Sequence, residues 1–228
     1  DNVYPIFRIQ NGATMIVTGG EVTNPTDYVF VLGASDGSSH GDLIINGGKY
    51  HGATTVASVT LGALTITGGE FSVEPYEGNY AFLINCIDAN YKNGTASVAI
   101  TGGTFHNWNP QNNAAEGTGT NFCYDKYAAT ETAENVWTVL PAVAKIGETY
   151  YATLQDAVNA ADATNNTINL IANVQLTAFV TIDKSVNLNL AQFNITRENG
   201  TALYVNGENI EVTVNGTTGT VSGLQAVY

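Results

Sequence analysis

Charge is what this chain has least of. Asp, Glu, Lys and Arg together make up 12% of its 228 residues, with 7 basic against 20 acidic side chains and a net charge of −13. That balance leaves no basic footprint for nucleic acid and repels anionic membrane surfaces. An anionic polysaccharide meets the same repulsion unless Ca²⁺ bridges it. Cysteine is nearly absent too: Cys86 lies in an apolar run and Cys123 beside a loop, which reads as two free thiols rather than a disulfide framework. No apolar run approaches the ~18 residues of a membrane-spanning helix. No signal-peptide pattern precedes Asp1, so the chain reads as a mature or excised piece.

Gly, Asn and Thr fill the place of charge. Solubility then rests on amides and hydroxyls, a surface chemistry that suits a secreted protein, and an extracellular or cell-surface location is expected. Within this composition one phrase recurs four times: MIVTGGEV (Met15 to Val22), LIINGGKY (Leu43 to Tyr50), LTITGGEF (Leu64 to Phe71) and VAITGGTF (Val98 to Phe105). In each copy apolar and polar or small side chains alternate, a Gly-Gly pair follows, and one variable residue precedes an apolar one. That is a strand, a corner and the start of another strand. The first glycines stand at 19, 47, 68 and 102, so the spacings are 28, 21 and 34 residues. A near-constant phrase at variable spacing points to stacked parallel coils, a β-solenoid, with insertions as side loops. The pairs Gly19–Gly20, Gly47–Gly48, Gly68–Gly69 and Gly102–Gly103 mark its corners. Met15, Val17 and Val22 align with Leu43, Ile45 and Tyr50, with Leu64, Ile66 and Phe71, and with Val98, Ile100 and Phe105, as columns of an enclosed core.

The Asn- and Gly-rich stretch from His106 to Phe122 reads as a long loop. Beyond it the pattern changes. IGETYY (Ile146 to Tyr151) reads as a hairpin with Gly-Glu at its turn. One short capping α-helix is expected near residues 153–163, with Thr153 as N-cap, Asp156 as its capping-box-like partner, and Leu154, Ala157, Val158 and Ala161 as its apolar stripe. Strands resume at Thr167 to Leu176, Phe179 to Asp183, Ser185 to Thr196, Ala202 to Gly207 and Ile210 to Gly223. Their Asn and Thr residues either form ladders between coils or solvate an open face.

The run from Ala142 to Thr196 (AVAKIGETYYATLQDAVNAADATNNTINLIANVQLTAFVTIDKSVNLNLAQFNIT) resembles the opening of right-handed parallel β-helix, pectate-lyase-like modules in large secreted and surface proteins of gut bacteria. The four Gly-Gly phrases resemble later coils of the same modules. The resemblance implies an all-β, right-handed parallel β-helix whose helix caps the stack; because this scaffold carries lyases, hydrolases, adhesins and inert stalks, it implies no single activity. Residues 1–135 read as the back of one solenoid and residues 136–228 as linker strands, cap and front of another, or as one continuous solenoid. Either the halves are consecutive in a tandem array, or the final coil (Thr220 to Tyr228) stacks on the first (Val3 to Val22), within one chain or head to tail between copies.

Catalytic machinery is hard to find. Only Arg8 and Arg197 supply guanidinium groups, whereas a lyase of this type is expected to use clustered carboxylates on Ca²⁺ with a basic residue. The post-Gly-Gly column Glu21, Lys49, Glu70 and Thr104 reads as a solvated surface ladder, worth little in an exposed setting. Asp36 and Asp42 flank the oxygen-rich loop SDGSSHGD and are weak candidates for Ca²⁺. Glu74, Glu77 and Asp88 fall in loop-like stretches without an acid/base pairing, and His40, His51 and His106 are expected in unrelated loops. Tyr76, Tyr80, Tyr91 and Trp108 are candidate stacking platforms for glycans; Trp108 and Trp137 otherwise pack the loop and linker. The reading is a non-enzymatic extracellular structural or adhesive module, whose partners are other copies, adjacent modules or glycans. A polysaccharide-binding or polysaccharide-degrading protein, armed by the loops around Asp36, Glu74 and Trp108, is the competing class.

Overall fold

The computed structural model describes residues 4–223, an all-β chain with two short helices. Val3 of the expected first strand and residues 224–228 of the expected final coil lie outside that range. The chain divides into two compact units: Asp1–Asp125 with Glu131–Leu140, and Lys126–Thr130 with Pro141–Tyr228.

In the first unit three strands recur in each repeat. They are β1 (Phe7–Ile9), β2 (Ala13–Val17) and β3 (Glu21–Asn24); β4 (Phe30–Leu32), β5 (Gly41–Ile45) and β6 (Lys49–Gly52); β7 (Ala57–Val59), β8 (Gly62–Ile66) and β9 (Glu70–Val73); and β10 (Ile84–Cys86), β11 (Ala96–Ile100) and β12 (Thr104–His106), with helix α1 (Asp88–Asn93) between β10 and β11. Each strand pairs in parallel with its counterpart one repeat away, giving the sheets β1-β4-β7-β10, β2-β5-β8-β11 and β3-β6-β9-β12. The aligned columns are paired residues: Met15 with Leu43, Leu43 with Leu64, and Leu64 with Val98. Val22, Tyr50, Phe71 and Phe105 are likewise in register.

Because side chains alternate across a strand, register places one set of every strand on one another's flanks. Leu43, Ile45, Leu64, Ile66, Tyr50, Phe71 and Phe105 are accordingly buried. An aromatic file runs through them. Phe7 stacks on Phe30 with centroids 5.2 Å apart, Phe30 meets Tyr50 at 5.5 Å, Tyr50 stacks on Phe71 at 5.4 Å, and Phe71 on Phe105 at 4.9 Å. The second glycine of every doublet has a left-handed φ, from +97° at Gly20 to +118° at Gly69, so the corner repeats as the strand does.

The last repeat of this unit is covered on all three sheets. After β12 the chain forms a hairpin of β13 (Tyr127–Ala133) and β14 (Val136–Pro141), and β14 pairs antiparallel with β12, setting Trp137 opposite Phe105. Ile100 of β11 donates to Phe122 O at 2.9 Å and accepts from Tyr124 N at 2.9 Å. Cys86 of β10 donates its backbone N–H to Glu116 Oε1 at 2.6 Å. The stretch after β12 is therefore a loop, as expected, but one that ends a stack. The sequence reading missed this cap, because hydrogen bonds to single carbonyls and one carboxylate have no periodicity.

The second unit opens with the antiparallel pair β15 (Ala144–Ile146) and β16 (Thr149–Tyr151), then α2 (Leu154–Ala160). Thr153 Oγ1 accepts from Asp156 N at 3.0 Å and donates to Asp156 Oδ2 at 2.7 Å, and Leu154, Ala157, Val158 and Ala161 are buried. The helix ends three residues earlier than expected, since Ala161 leaves the helical conformation at ψ 139°. Strands β17 (Thr167–Leu170), β18 (Val174–Leu176) and β19 (Val180–Ile182) follow, then β20 (Val186–Asn189), β21 (Ile195–Arg197) and β22 (Leu203–Val205), then β23 (Val212–Asn215) and β24 (Val221–Gly223). β15 pairs antiparallel with β17, and thereafter β17-β20-β23, β18-β21-β24 and β19-β22 pair in parallel. Runs expected as single strands, such as Ser185 to Thr196, are split by a corner into two.

One helix was expected and two are present among the described residues. α1 escapes a periodicity reading because it has only six residues and none of them is buried; Gly94 ends it in the left-handed conformation, and Asn90 Nδ2 ties it to Thr60 O at 2.8 Å. Asp88, expected in a loop, starts this helix.

Candidate functional site

The richest concentration of reactive groups lies on the outer face of the sheet β3-β6-β9-β12. Tyr50 and Phe71 point into the core, so their neighbours Lys49, His51, Glu70 and Ser72 point the other way. The post-Gly-Gly column pairs Glu21 with Lys49, Lys49 with Glu70, and Glu70 with Thr104. Lys49 Nζ lies 2.8 Å from Glu70 Oε2, and His106 Nε2 lies 3.0 Å from Glu70 Oε1. Hydrogen bonds from Lys49, then His106, hold the Glu70 carboxyl below the usual carboxylate range. The same contact raises the Lys49 ammonium, first by hydrogen bond and then by charge.

The histidines correct an expectation. His51 belongs to β6 and His106 to β12, so these two share one sheet face instead of occupying unrelated loops, while His40 stays in the loop before β5. His51 stands opposite Ser72 in register. Its Nδ1 is 2.9 Å from Ser72 Oγ, and its Nε2 is 3.4 Å from Glu74 Oε1. Glu21, Thr23, Lys49, His51, Glu70 and Ser72 line a shallow groove of about 130 Å³ with the edge of Tyr50. A signal for this face was in reach: extending each Gly-Gly phrase by one residue yields the column Thr23, His51, Ser72 and His106.

The four candidate aromatics do not converge. Trp108 is only 3% exposed, packs against Phe105 and Phe122 at 5.6 and 6.1 Å, and donates its indole N–H to Ala81 O at 3.2 Å. Its ring is spent on the core, so of the two roles read for it the structure has the packing one and not an open sugar platform. Tyr91 meets Phe122 edge-on at 5.5 Å, and burial pushes its phenol up. Tyr80 is half-buried. Tyr76 alone of the four is open, 47% exposed, with its ring edge to Phe82 at 6.2 Å. An exposed aromatic pair does exist elsewhere: Phe179 and Tyr204 lie 5.6 Å apart in the second unit, with Arg197 Cζ 5.8 Å from the Phe179 centroid.

The two aspartates proposed for Ca²⁺ serve separate local roles. Asp36 Oδ1 accepts from Ser38 N at 2.9 Å within its own turn, and those Ser38 contacts lower its carboxyl. Asp42 Oδ1 accepts from Ala63 N at 2.9 Å, joining β5 to β8. Among the described residues no group of three or more His, Cys, Asp or Glu side chains is placed to hold a metal ion. Glu77 lies in the exposed turn beside Tyr76 with a φ of +49°. Cys86 is buried and Cys123 partly buried, and neither is joined in a disulfide.

No protein-family model, curated protein or solved structure matches this chain. Among the described residues no helix is long and apolar enough to cross a membrane.

Proposed function

We propose that the chain is an extracellular structural or adhesive module built as a right-handed parallel β-helix, similar to the pectate-lyase-like modules, and that it associates end to end with further copies or adjacent modules. The observation that carries this reading is a difference in burial between equivalent positions. Val205, Val214 and Val221 are 52%, 46% and 40% exposed, whereas their register partners Ile182, Leu188 and Ile195 are buried. At the start of the first unit Phe7, Met15 and Val17 are partly exposed, and their partners Phe30, Leu43 and Ile45 are buried.

Among the described residues each of those side chains is covered by a coil on one side. A parallel strand set of the same spacing covers the other, adding backbone hydrogen bonds along three edges and apolar contact at about 25 cal/mol per Å². The polarity is compatible, because the strands β22, β23 and β24 can take a following parallel coil and β1, β2 and β3 a preceding one. Such a contact is heterologous and propagates. Light scattering and electron microscopy across a concentration series test it: rods or fibres that lengthen with concentration support the reading, and a monomer at the highest concentration, with Val214→Lys changing nothing, overturns it.

The adhesive part rests on the exposed pair Phe179 and Tyr204, which offers apolar ring surface beside the Arg197 guanidinium. A glycan array with the Phe179→Ala and Tyr204→Ala variants tests it. Loss of a specific signal in both supports contact through this pair.

A further inference from the structure

We propose that the outer face of β3, β6, β9 and β12 holds a serine acyl-transfer site, with Ser72 as nucleophile, His51 as its base and Glu74 as the carboxylate that orients His51. This goes beyond the structural reading above and is independent of end-to-end association. The geometry requirement for such a site is a nucleophile hydrogen-bonded to a base that a third group holds in turn. Ser72 Oγ lies 2.9 Å from His51 Nδ1, and Glu74 Oε1 lies 3.4 Å from Nε2 of the same ring. His106, by contrast, faces a carboxylate.

The three residues are placed by the sheet. His51 and Ser72 are a register pair on β6 and β9, both of which are flanked by further strands, so neither backbone is a free edge. Ser72 and Glu74 are two residues apart and therefore share a face. Glu74 N donates to Ala53 O at 3.0 Å, which fixes the end of β9 beside β6. With its proton on Nε2 toward Glu74, the ring presents the Nδ1 lone pair to Ser72. A triad is defined by these roles and not by which ring nitrogen fills each.

As Ser72 Oγ bonds to an ester carbonyl carbon, its proton passes to His51 Nδ1. The resulting imidazolium is stabilised by Glu74. Collapse of the tetrahedral adduct breaks the bond to the leaving alcohol, which takes the proton back from Nδ1 and departs. Water then attacks the acyl-serine, His51 accepts a proton from it, and Ser72 regains that proton as the carboxylic acid leaves. Backbone N–H groups of β6 and β9 are committed to sheet pairing, so stabilisation of the oxyanion falls to the Lys49 ammonium, held beside the groove by Glu70. A groove of about 130 Å³ admits a short acyl group, with the alcohol portion left in solvent. The net charge of −13 disfavours anionic carriers. The substrate class is thus a short-chain ester of a neutral alcohol.

The test uses the whole chain with a fluorophosphonate probe and 4-nitrophenyl acetate, mapping the modified peptide by mass spectrometry. Expected are a single adduct on Ser72, its loss in Ser72→Ala, and a labelling rate lowered by about 10²-fold or more in His51→Asn. Acetate-ester turnover falls with it and is diminished in Glu74→Gln and Lys49→Met, all four variants retaining the wild-type circular dichroism. Ser72→Thr preserves a hydroxyl and covers the case in which Ser72→Ala fails to fold. No adduct on Ser72, labelling at equal rate in urea-unfolded protein, or an unchanged rate in His51→Asn overturns the proposal.

Discussion

Glu116 accepts the backbone N–H of Cys86 through Oε1 at 2.6 Å, and its Oε2 is buried without a partner. A loop carboxyl thereby replaces the strand that β10 would otherwise bind. Burial pushes the Glu116 carboxyl up, against the opposing pull of the Cys86 hydrogen bond. An acid raised on folding contributes stability that is full below its unfolded value, about 4.3, and is lost as pH rises through its folded value. Glu116→Gln keeps an acceptor and removes the charge. The expected outcome is equal melting of variant and wild type at pH 4, and a variant melting on the order of a few degrees higher at pH 8. A melting difference that stays constant from pH 4 to 8 would refute the assignment.

Cys86 is affected by the same burial. Its thiol is pushed up to about 12, by desolvation first and by the Glu116 charge second. Since the thiolate is the reactive form, Cys86 is expected to resist alkylation at pH 8 in the folded protein and to react on unfolding. Peptide mapping after iodoacetamide pulses with and without urea checks this; rapid native labelling of Cys86 would contradict it.

The Gly-Gly doublets predict a graded series. A Cβ on Gly19 meets nothing within 4 Å, on Gly47 it meets Thr18 O at 3.1 Å, on Gly68 it meets Asn46 O at 2.7 Å, and on Gly102 it meets Thr67 O at 2.2 Å. Each contact comes from the repeat before, and no described residue takes that place beside Gly19. Gly19→Ala is expected to be neutral within about 0.5 kcal/mol, and Gly102→Ala to cost on the order of 2–3 kcal/mol through backbone displacement. Urea titration of the four variants gives the order directly, and equal losses at all four sites would show that the previous repeat is not the obstacle.

Legibility in the sequence followed the range of the interaction. The phrase repeated at Met15, Leu43, Leu64 and Val98 exposes the columns because alternation and register are the same physical fact read twice, along a strand and across strands. Thr153 and Asp156 were legible because a capping contact spans three residues. Glu116 and Cys86 are 30 residues apart and join an irregular loop to a strand, so nothing local announces them. The outer face was partly legible: Glu21, Lys49 and Glu70 were aligned, but the repeated phrase was closed at Tyr50 and Phe71, one position short of His51 and Ser72. Trp108 was read two ways, as platform and as packing, for a simpler reason. Its neighbours HN and NP are polar, whereas its partners Phe105 and Phe122 lie on either side of it along the chain and reach it only after folding.

The aromatic file separates core from platform. Phe71 is fully buried between Tyr50 and Phe105, and truncation leaves a cavity that paired strands are poorly able to close. Phe71→Ala is expected to cost about 3–5 kcal/mol. Trp108→Ala belongs to the same class, since its ring bridges Phe105 and Phe122, and a loss of about 3 kcal/mol or more is expected. Tyr76→Ala, at an exposed turn, is expected to stay within about 0.5 kcal/mol. Denaturant titrations of the three rank them; a Trp108 variant as stable as wild type would mean the indole is not a core group.

Asn189 is the clearest test of the side-chain ladder in the second unit. Its Nδ2 donates to Asn169 Oδ1 at 3.0 Å in the repeat before, and its Oδ1 accepts from Ala191 N at 3.0 Å. Asn169, Asn189 and Asn215 are consecutive register partners, so the amide joins two repeats while closing the turn at Ala191, whose φ is +49°. Asn189→Ala removes both bonds and leaves a half-buried acceptor on Asn169, for an expected loss of about 1–2 kcal/mol. Asn189→Asp retains the acceptor for Ala191 and loses only the donor toward Asn169, so its loss is expected to be smaller at pH 7. If the two variants lose the same amount, the turn bond contributes nothing and the ladder bond alone sets the cost; if both match wild type, the amide is merely solvated.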